Sequence, residues 1–122
     1  DMGDSAIVET IGVGGFAMAA SPAVAGFVGA GSASSALAFT RTMSQIVVGE
    51  NPQWTIPALD FAGVPTGIDI RLVADTGIAP VINTGIAHKE AGVGQVGAGV
   101  VRAPLDCFIQ AARALSNKLG VQ

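Results

Sequence analysis

The chain has 122 residues, of which half are hydrophobic and only 12% are charged, and its net charge is −3 with a pI of about 4.8. Its six basic residues are scattered, and because nucleic-acid binding requires a concentrated basic patch, we exclude that class of function. Charged residues usually make up about a quarter of a soluble domain. We therefore expect residues 1–122 to be a single domain, or part of one, whose surface is covered by other parts of a longer chain or by a partner.

The stretch between Glu9 and Arg41 carries no charge and is long enough to span a bilayer. It is interrupted by many glycines and by Pro22, and no aromatic or basic anchors flank it. We therefore predict a buried helix-and-loop region and no membrane span. The single cysteine, Cys107, and the lack of a targeting sequence fit a reducing, cytoplasmic location.

The first half of the chain is predicted to be mostly helical. Residues 5–11 are expected to form a short helix or strand, and their periodicity does not decide between the two. A glycine loop follows at residues 12–15. Ser21 as an N-cap and Pro22 at the first helical position predict a helix that ends near Gly29. Apolar residues at helical spacing then predict another helix, which ends near Gly49.

The second half alternates predicted strands and helices. Residues 53–61 are expected to be extended, residues 64–67 to form a turn and residues 79–83 to form a strand, with a loop at 84–89. A short helix should open at Asp69 and close at Gly77, and glycine-rich residues 92–99 should lead into a short strand. The last helix should open at residues 103–104, bury Cys107 as a small hydrophobe, and end near Gly120. This alternation predicts an α/β fold, a layered sheet with helices and glycine-rich loops.

Two glycine motifs are candidate ligand loops. Residues 12–17 fit G-x-G-x-x-A and residues 92–97 fit G-x-G-x-x-G. A dinucleotide site also requires a preceding strand, a following helix and an acidic residue about 20 positions on. The first motif lacks the acidic residue and the second leads into a predicted strand, so no cofactor is expected. The N–H groups of Gly12, Gly14 and Gly15 could instead bind an anion, and close packing is the alternative.

His88 is the only histidine, and it lies where a predicted strand ends. Ligands of open α/β sheets bind at the carboxyl ends of strands. His88 is therefore a candidate catalytic residue, with Asn83, Thr84 and Lys89 as polar neighbours, and a structural or solvated histidine is the alternative. We expect no metal, because a metal site needs three or four converging ligands and the sequence has no such spacing.

Arg71 and Arg102 each lie at the end of a predicted element, close to Asp69 and Asp106 respectively. Each arginine forms either a surface ion pair of little energetic value or a clamp on a carboxylate or phosphate, for which its forked side chain is suited. Asp4 and Ser5 precede the glycine loop. Either one of them caps a helix, or Asp4 orients a substrate amide or acts as a base.

These residues fall within longer motifs that resemble the YlbE/AllG-like family. The motifs are GDSAI at 3–7, GVGGFAM at 12–18, FAGVPTGID at 61–69, PVINTGIAHK at 80–89 and AGVGQVGAG at 91–99, continuing into VRAP at 101–104. Members of this family are several times longer, so the chain is expected to be an excised segment. The resemblance implies a subunit of an oxamate carbamoyltransferase in anaerobic purine (allantoin) breakdown. That enzyme is a complex of unlike subunits that interconverts oxalurate plus phosphate with oxamate plus carbamoyl phosphate.

The resemblance also suggests roles for the candidate residues, because both substrates are anions. Basic side chains would hold the anions, the glycine loop would hold phosphate, and amide side chains would pair with the substrate amide. His88 would polarise the carbamoyl oxygen or move a proton. The predicted catalytic set is His88, Asn83 and Asp4, and the predicted substrate-binding set is Arg71, Arg102, Lys89, Gln95, Thr84 and Asp69.

The motifs of aspartate and ornithine carbamoyltransferases are not reproduced. Those enzymes carry S-T-R-T and H-P-x-Q, whereas here Phe39 precedes Thr40-Arg41-Thr42 and Lys89 follows His88. Carbamoyl transfer would therefore use a different scaffold. A non-catalytic assembly subunit, or a protein that binds small anions, is the alternative, and in each case we expect an oligomer with other subunits as partners.

Overall fold

The computed structural model describes residues 5–29 and 31–121 as short helices and turns followed by two β-hairpins, each of which leads into a helix. The helices are α1 (Ser5–Val8), α2 (Pro22–Phe27), α3 (Ala33–Met43), α4 (Ile70–Thr76) and α5 (Leu105–Leu119). The strands are β1 (Val47–Ile56), β2 (Ala62–Ile68), β3 (Val81–Ala87) and β4 (Gln95–Arg102). Short 3-10 turns occupy Glu9–Ile11, Gly14–Phe16, Met18–Ala20, Ser44–Ile46 and Pro57–Leu59. The predicted α/β fold class is confirmed.

The strands form two separate antiparallel pairs, β1 with β2 and β3 with β4. In the second pair, Val81 lies opposite Arg102 and Ala87 lies opposite Gln95. At the tip of this hairpin, the N–H of His88 donates to the carbonyl of Gly94 at 2.9 Å. Since a strand rises roughly 3.3 Å per residue, His88 and Arg102 lie at opposite ends of the hairpin.

The hydrophobic core lies between the glycine-loop region, α3 and the starts of the hairpins. Its largest fully buried apolar side chains include Phe16, Met18, Met43, Ile46, Ile56, Val73 and Val81. Two polar contacts cross this core: Ala19 N–H donates to Oγ1 of buried Thr40 at 3.0 Å, and Val81 N–H donates to Sδ of Met43 at 3.3 Å. The core therefore holds the glycine-loop region and the start of β3 against α3.

The predicted helix ends are largely confirmed. Pro22 opens α2, and Asp69 caps α4 by accepting the N–H of Arg71 at 2.9 Å. Gly77 and Gly120, with φ of 70° and 67°, end α4 and α5 in the left-handed conformation that favours glycine.

Three predicted boundaries are wrong. The helix expected to reach Gly49 gives way at Met43 to a 3-10 turn, and β1 begins at Val47, where β-branched residues favour a strand. The turn expected at 64–67 lies inside β2, where Pro65 is tolerated because a two-stranded sheet has only edge strands. The loop expected at 84–89 is mostly strand, because β3 continues to Ala87 opposite β4.

The predicted burial of Cys107 is also wrong, because the cysteine is exposed. Leu105, Phe108 and Ala112 are half-buried along one stripe of α5. Cys107 follows Leu105 by two positions and so faces away from that stripe. Among the described helices, none combines the length and apolar character that crossing a membrane requires.

Candidate functional site

The glycine loop surrounds a carboxylate of the same chain, that of Glu9. The N–H of Gly15 donates to Oε2 of Glu9 at 2.8 Å. The N–H of Asn83, in β3, donates to Oε1 and Oε2 at 3.0 and 3.1 Å. Glu9 is only 5% exposed. Its carboxylate therefore joins the glycine loop to β3 in the interior of the molecule.

Close contacts with neighbouring atoms explain why two of the three loop positions, Gly14 and Gly15, are occupied by glycine. A Cβ on Gly14 would lie 2.2 Å from Cδ of Glu9, and a Cβ on Gly15 would lie 2.0 Å from the carbonyl oxygen of Val81. Gly12 has a φ of 105°, and its N–H donates to the carbonyl of Glu9 at 3.0 Å. A side chain at either of the two later positions would push the loop away from Glu9 or from β3.

Burial raises the pKa of Glu9 above its ordinary value of 4.5, against the opposing effect of the hydrogen bonds from Gly15 and Asn83. Desolvation penalises the ionised form, whereas the N–H donors favour it. A carboxyl group held in this way titrates closer to neutrality than a solvated glutamate.

A cavity of about 230 Å³ lies beside the loop, and we call it the loop cavity. Val13 and Gly14 of the loop, Val24 of α2 and Asn83 of β3 contribute to its walls, together with Ala17 and Met18. Oδ1 of Asn83 is buried and has no hydrogen-bond partner within the described part of the chain. Because buried polar atoms are nearly always paired, this unpaired oxygen makes Asn83 a candidate functional residue beside the cavity.

His88, Lys89 and Gln95 lie together at the tip of the β3–β4 hairpin. Nδ1 of half-buried His88 accepts the N–H of Glu90 at 3.0 Å, and Nε2 of Gln95 donates to the carbonyl of Gly97 at 2.9 Å. The His88 side chain is thus bonded within the loop and the Gln95 side chain within β4, and Lys89 is exposed.

Asp69 and Arg71 bind each other at the start of α4. Their carboxylate and guanidinium are 2.7 Å apart, and the Arg71 side chain is 81% exposed. The hydrogen bond from the Arg71 side chain is the main cause that lowers the pKa of Asp69 to about 2. This geometry is the surface ion pair that the sequence left as one of two alternatives.

We expect Asp69→Ala to lower the free energy of unfolding, because it removes the cap of α4. Asp69→Asn, which keeps a capping oxygen but loses the charge, should cost less. Since the pKa of Asp69 is lowered on folding, its stabilisation should be fully present above about pH 4 and lost as the pH falls towards 2. Urea denaturation of both variants at pH 7 and pH 3 measures this, and equal losses at both pH values would contradict it.

The other predicted residues lie apart from the glycine loop or from one another. Arg102 is exposed at the end of β4, donates weakly to the carbonyl of Ala79 at 3.5 Å, and borders a cavity of about 320 Å³ beside α3. Thr84 follows Asn83 in β3, and its hydroxyl donates to the carbonyl of Gly85 at 3.4 Å. Asp4 lies outside the described residues. The structure therefore brings together Asn83 and the three loop glycines, and it places Arg102 opposite Val81, two residues before Asn83 in β3.

The sequence reasoning gave Glu9 no role, although a signal was present. Glu9 is the last charged residue before the uncharged stretch that ends at Arg41, and it lies directly before the glycine loop. Within the described ranges, His, Cys, Asp and Glu side chains form no group of three that could hold a metal ion.

Comparisons with known proteins match nearly the whole chain. It is 58% identical over 121 residues to the oxamate carbamoyltransferase subunit AllG of Escherichia coli (strain K12), and 54% identical over 121 residues to the uncharacterized protein YahG of the same organism. Each match covers 99% of this chain, but the chain spans only 29% and 25% of those proteins. No family model matches.

A solved structure shares the fold. The chain superposes with a TM-score of 0.86 and 56% identity on a conserved protein of unknown function from Enterococcus faecalis V583, over 96% of this chain and 28% of that one. The match to the AllG subunit confirms the predicted resemblance, and the structural likeness shows that the fold is shared.

Proposed function

We propose that the chain is part of a subunit of an oxamate carbamoyltransferase-type enzyme of the cytoplasm, acting in anaerobic allantoin breakdown. The observation that carries the proposal is the 58% identity to the AllG subunit over 99% of the chain. Because the chain spans 29% of that relative, the proposal concerns the full-length protein and its partner subunits. The reaction is the conversion of oxalurate and phosphate to oxamate and carbamoyl phosphate.

The chemistry of this reaction fits the groups beside the glycine loop. A phosphate oxygen forms a bond to the carbamoyl carbon of oxalurate, the bond from that carbon to the oxamate nitrogen breaks, and this nitrogen takes a proton. Catalysis therefore depends on positioning the ureido group and stabilising charge on its carbonyl oxygen. Asn83 is the polar side chain that we assign to the ureido group, because it lines the loop cavity and its carbonyl oxygen is unpaired among the described residues.

The anionic ends of the substrates require cations, and Arg102 is the described residue that we assign to this role. Arg71 is already paired with Asp69, whereas no carboxylate pairs with Arg102 within the described ranges. Ser35 and Thr42 of α3 border the same cavity, where the Thr42 hydroxyl donates to the carbonyl of Ala38 at 2.8 Å. The forked guanidinium of arginine suits a carboxylate or a phosphate.

Activity measured with and without partner subunits tests the proposal. The full-length protein, alone and co-purified with its partners, is incubated with oxalurate and phosphate, and carbamoyl phosphate is followed by ³¹P NMR. We expect carbamoyl phosphate when the subunits are combined. If the complete set of subunits forms none, the proposed function is wrong.

A non-catalytic assembly subunit is the second candidate, and the exposed apolar side chains favour it. Ile7, Phe27 and Phe61 are 75%, 71% and 67% exposed. Apolar side chains that together form a contiguous exposed patch mark an interaction surface. If the partner subunits turn over oxalurate without this protein and its addition changes only their association, the assembly role is correct.

A further inference from the structure

We infer that β4 pairs with a further β-strand, which comes from the part of the full-length protein that lies outside residues 1–122. The strand adds to the side of β4 that faces away from β3, which we call the outer edge of β4. Extension of the sheet in this way is independent of the reaction that the full-length protein catalyses.

The hydrogen bonds of the β3–β4 hairpin determine which backbone groups of β4 face outward. At the base of the hairpin, the N–H of Ala103 donates to the carbonyl of Pro80 at 2.9 Å, and the register is regular from there along most of β4. In an antiparallel pair, residues that are bonded to the opposite strand alternate with residues whose N–H and carbonyl groups point away from it. The backbone groups of Gly99 therefore face β3, and those of Ala98 and Val100 face outward.

The outer edge of β3 shows the same alternation and is already covered. The N–H of Val81 donates to Sδ of Met43 at 3.3 Å, and the N–H of Asn83 donates to Oε1 of Glu9 at 3.0 Å. These two donors are two residues apart and face away from β4, and each has an acceptor. Further pairing of this sheet is therefore expected at β4 rather than at β3.

The outer edge of β4 has no such cover in the described part of the chain. The outward N–H and carbonyl groups of Ala98 and Val100 make no hydrogen bond to a described residue. A Cβ at Gly99, between them, would meet nothing within 4 Å. A cavity of about 540 Å³ beside the first half of β4 is lined by Phe27 and Val96, whose side chains are 71% and 56% exposed. The edge is thus open, and its surroundings favour a partner with apolar side chains.

The spacing of the outward groups requires an extended polypeptide as the partner. A strand rises about 3.3 Å per residue, so the outward groups of Ala98 and Val100 lie roughly 6.6 Å apart. A second strand presents its own N–H and carbonyl groups at the same spacing. Addition of a strand to an exposed sheet edge is a common mode of recognition that uses these main-chain bonds.

The sequence of β4 lacks the features that protect a free edge. Residues 97–101 contain no charge, no proline and no irregularity in register. By contrast, β1 carries Glu50 and Pro52 and has a register irregularity between Asn51 and Thr55. Charges, prolines and bulges are the means by which natural proteins prevent unwanted pairing at an edge. The unprotected edge of β4 is therefore expected to be paired in the native protein.

The rest of the same polypeptide is the partner that the observations favour. The chain spans only 29% of the AllG subunit and 28% of the solved structure that shares its fold. Most of a full-length protein of this kind thus lies outside the described residues. A two-stranded hairpin is at best marginally stable alone. A strand of the same polypeptide is present at high effective concentration, so it pairs without the entropy loss of bimolecular association.

Amide hydrogen exchange in the full-length protein, followed residue by residue by NMR, tests the pairing. The amide of Gly99 is bonded within the hairpin, so it serves as an internal reference, whereas those of Ala98 and Val100 depend on the added strand. We expect exchange at Ala98 and Val100 to be slowed by at least about a hundredfold relative to an unstructured peptide, as at Gly99. Fast exchange at both residues would overturn the inference, whether or not Gly99 is protected.

Proline substitutions at adjacent positions provide an independent test. Proline removes the N–H of its position, and an edge strand tolerates it where that N–H faces solvent. We expect Ala98→Pro to lower the melting temperature of the full-length protein about as much as Gly99→Pro, because each variant loses a hydrogen bond between strands. An unchanged melting temperature in Ala98→Pro would show that the outer edge is free, and the inference would fall.

Two further measurements identify the source of the strand. If the strand belongs to the same polypeptide, protection of Ala98 and Val100 persists when the protein is diluted until light scattering shows a monomer. Loss of protection on dilution would mean that a second molecule supplies the strand and would overturn the inference. In crystals of the full-length protein, a backbone carbonyl oxygen of the same polypeptide should lie about 2.9 Å from the nitrogen of Ala98. A side chain, a helix or another molecule at that place would contradict the pairing.

Discussion

Gly15→Ala is expected to lower the free energy of unfolding by about 3 kcal/mol or more, at the upper end of the cost of overpacking. The added Cβ would lie 2.0 Å from the carbonyl oxygen of Val81. That atom belongs to the backbone at the start of β3, so it cannot turn aside as a side chain could. Relief requires the loop and the strand to separate, which also stretches the bond from Gly15 to Glu9. Urea denaturation of the full-length protein measures the loss.

Gly49→Ala is the matched control for this prediction. A Cβ at Gly49, in β1, meets nothing within 4 Å. Alanine there should change the free energy of unfolding by less than about 1 kcal/mol. If Gly15→Ala were as mild as Gly49→Ala, the close contact between the loop and β3 would be refuted.

Glu9→Ala is expected to lower the free energy of unfolding by about 2–4 kcal/mol, because it leaves one buried and one part-buried N–H donor without an acceptor. Gly15 and Asn83 both donate to this carboxylate, and the side chain is 5% exposed. Alanine also leaves a void next to Gly14, which lies directly against the carboxyl group. The loss should appear in chemical denaturation and as faster hydrogen exchange at the amides of Gly15 and Asn83.

Two further variants separate the hydrogen bonds from simple loss of charge. Glu9→Gln keeps one carbonyl acceptor and nearly the same volume, so its cost should lie between those of the wild type and Glu9→Ala. Glu50→Ala removes an exposed carboxylate of β1 and should change stability by less than about 0.5 kcal/mol. A Glu9→Ala variant as stable as Glu50→Ala would show that the loop does not depend on the carboxylate.

The elements whose signals are local could be predicted from the sequence. Pro22 at a helix start, Asp69 as a cap, and Gly77 and Gly120 at helix ends act through their own backbone conformation and their nearest neighbours. The strand limits could not be predicted in the same way. Pro65 and Ile86 are extended because each lies opposite a partner strand, Pro65 opposite Glu50 and Ile86 opposite Gly97, and pairing overrides local propensity.

The same distinction between local signals and contacts of distant residues applies to the candidate site. Asn83 and the glycine loop were both predicted to be functional from their residue types, and the structure brings them together. Their connection through Glu9 joins residues 74 positions apart in the chain, and no periodicity or spacing reports such a contact. The separation of His88 from Arg102 likewise depends on the register of the hairpin, which a sequence of glycines and valines specifies weakly.

The pKa of Glu9 in the full-length protein is the measurement that tests most directly whether its buried carboxylate joins the glycine loop to β3. The protein is labelled with ¹³C at glutamate Cδ and with ¹⁵N at the backbone, the Glu9 signal is assigned by its loss in Glu9→Gln, and the pH is titrated by NMR. We predict a midpoint above 4.5, with the amide signals of Gly15 and Asn83 shifting at the same midpoint. A midpoint at or below 4.5, with both amides unaffected, would show a solvated carboxylate and contradict the account.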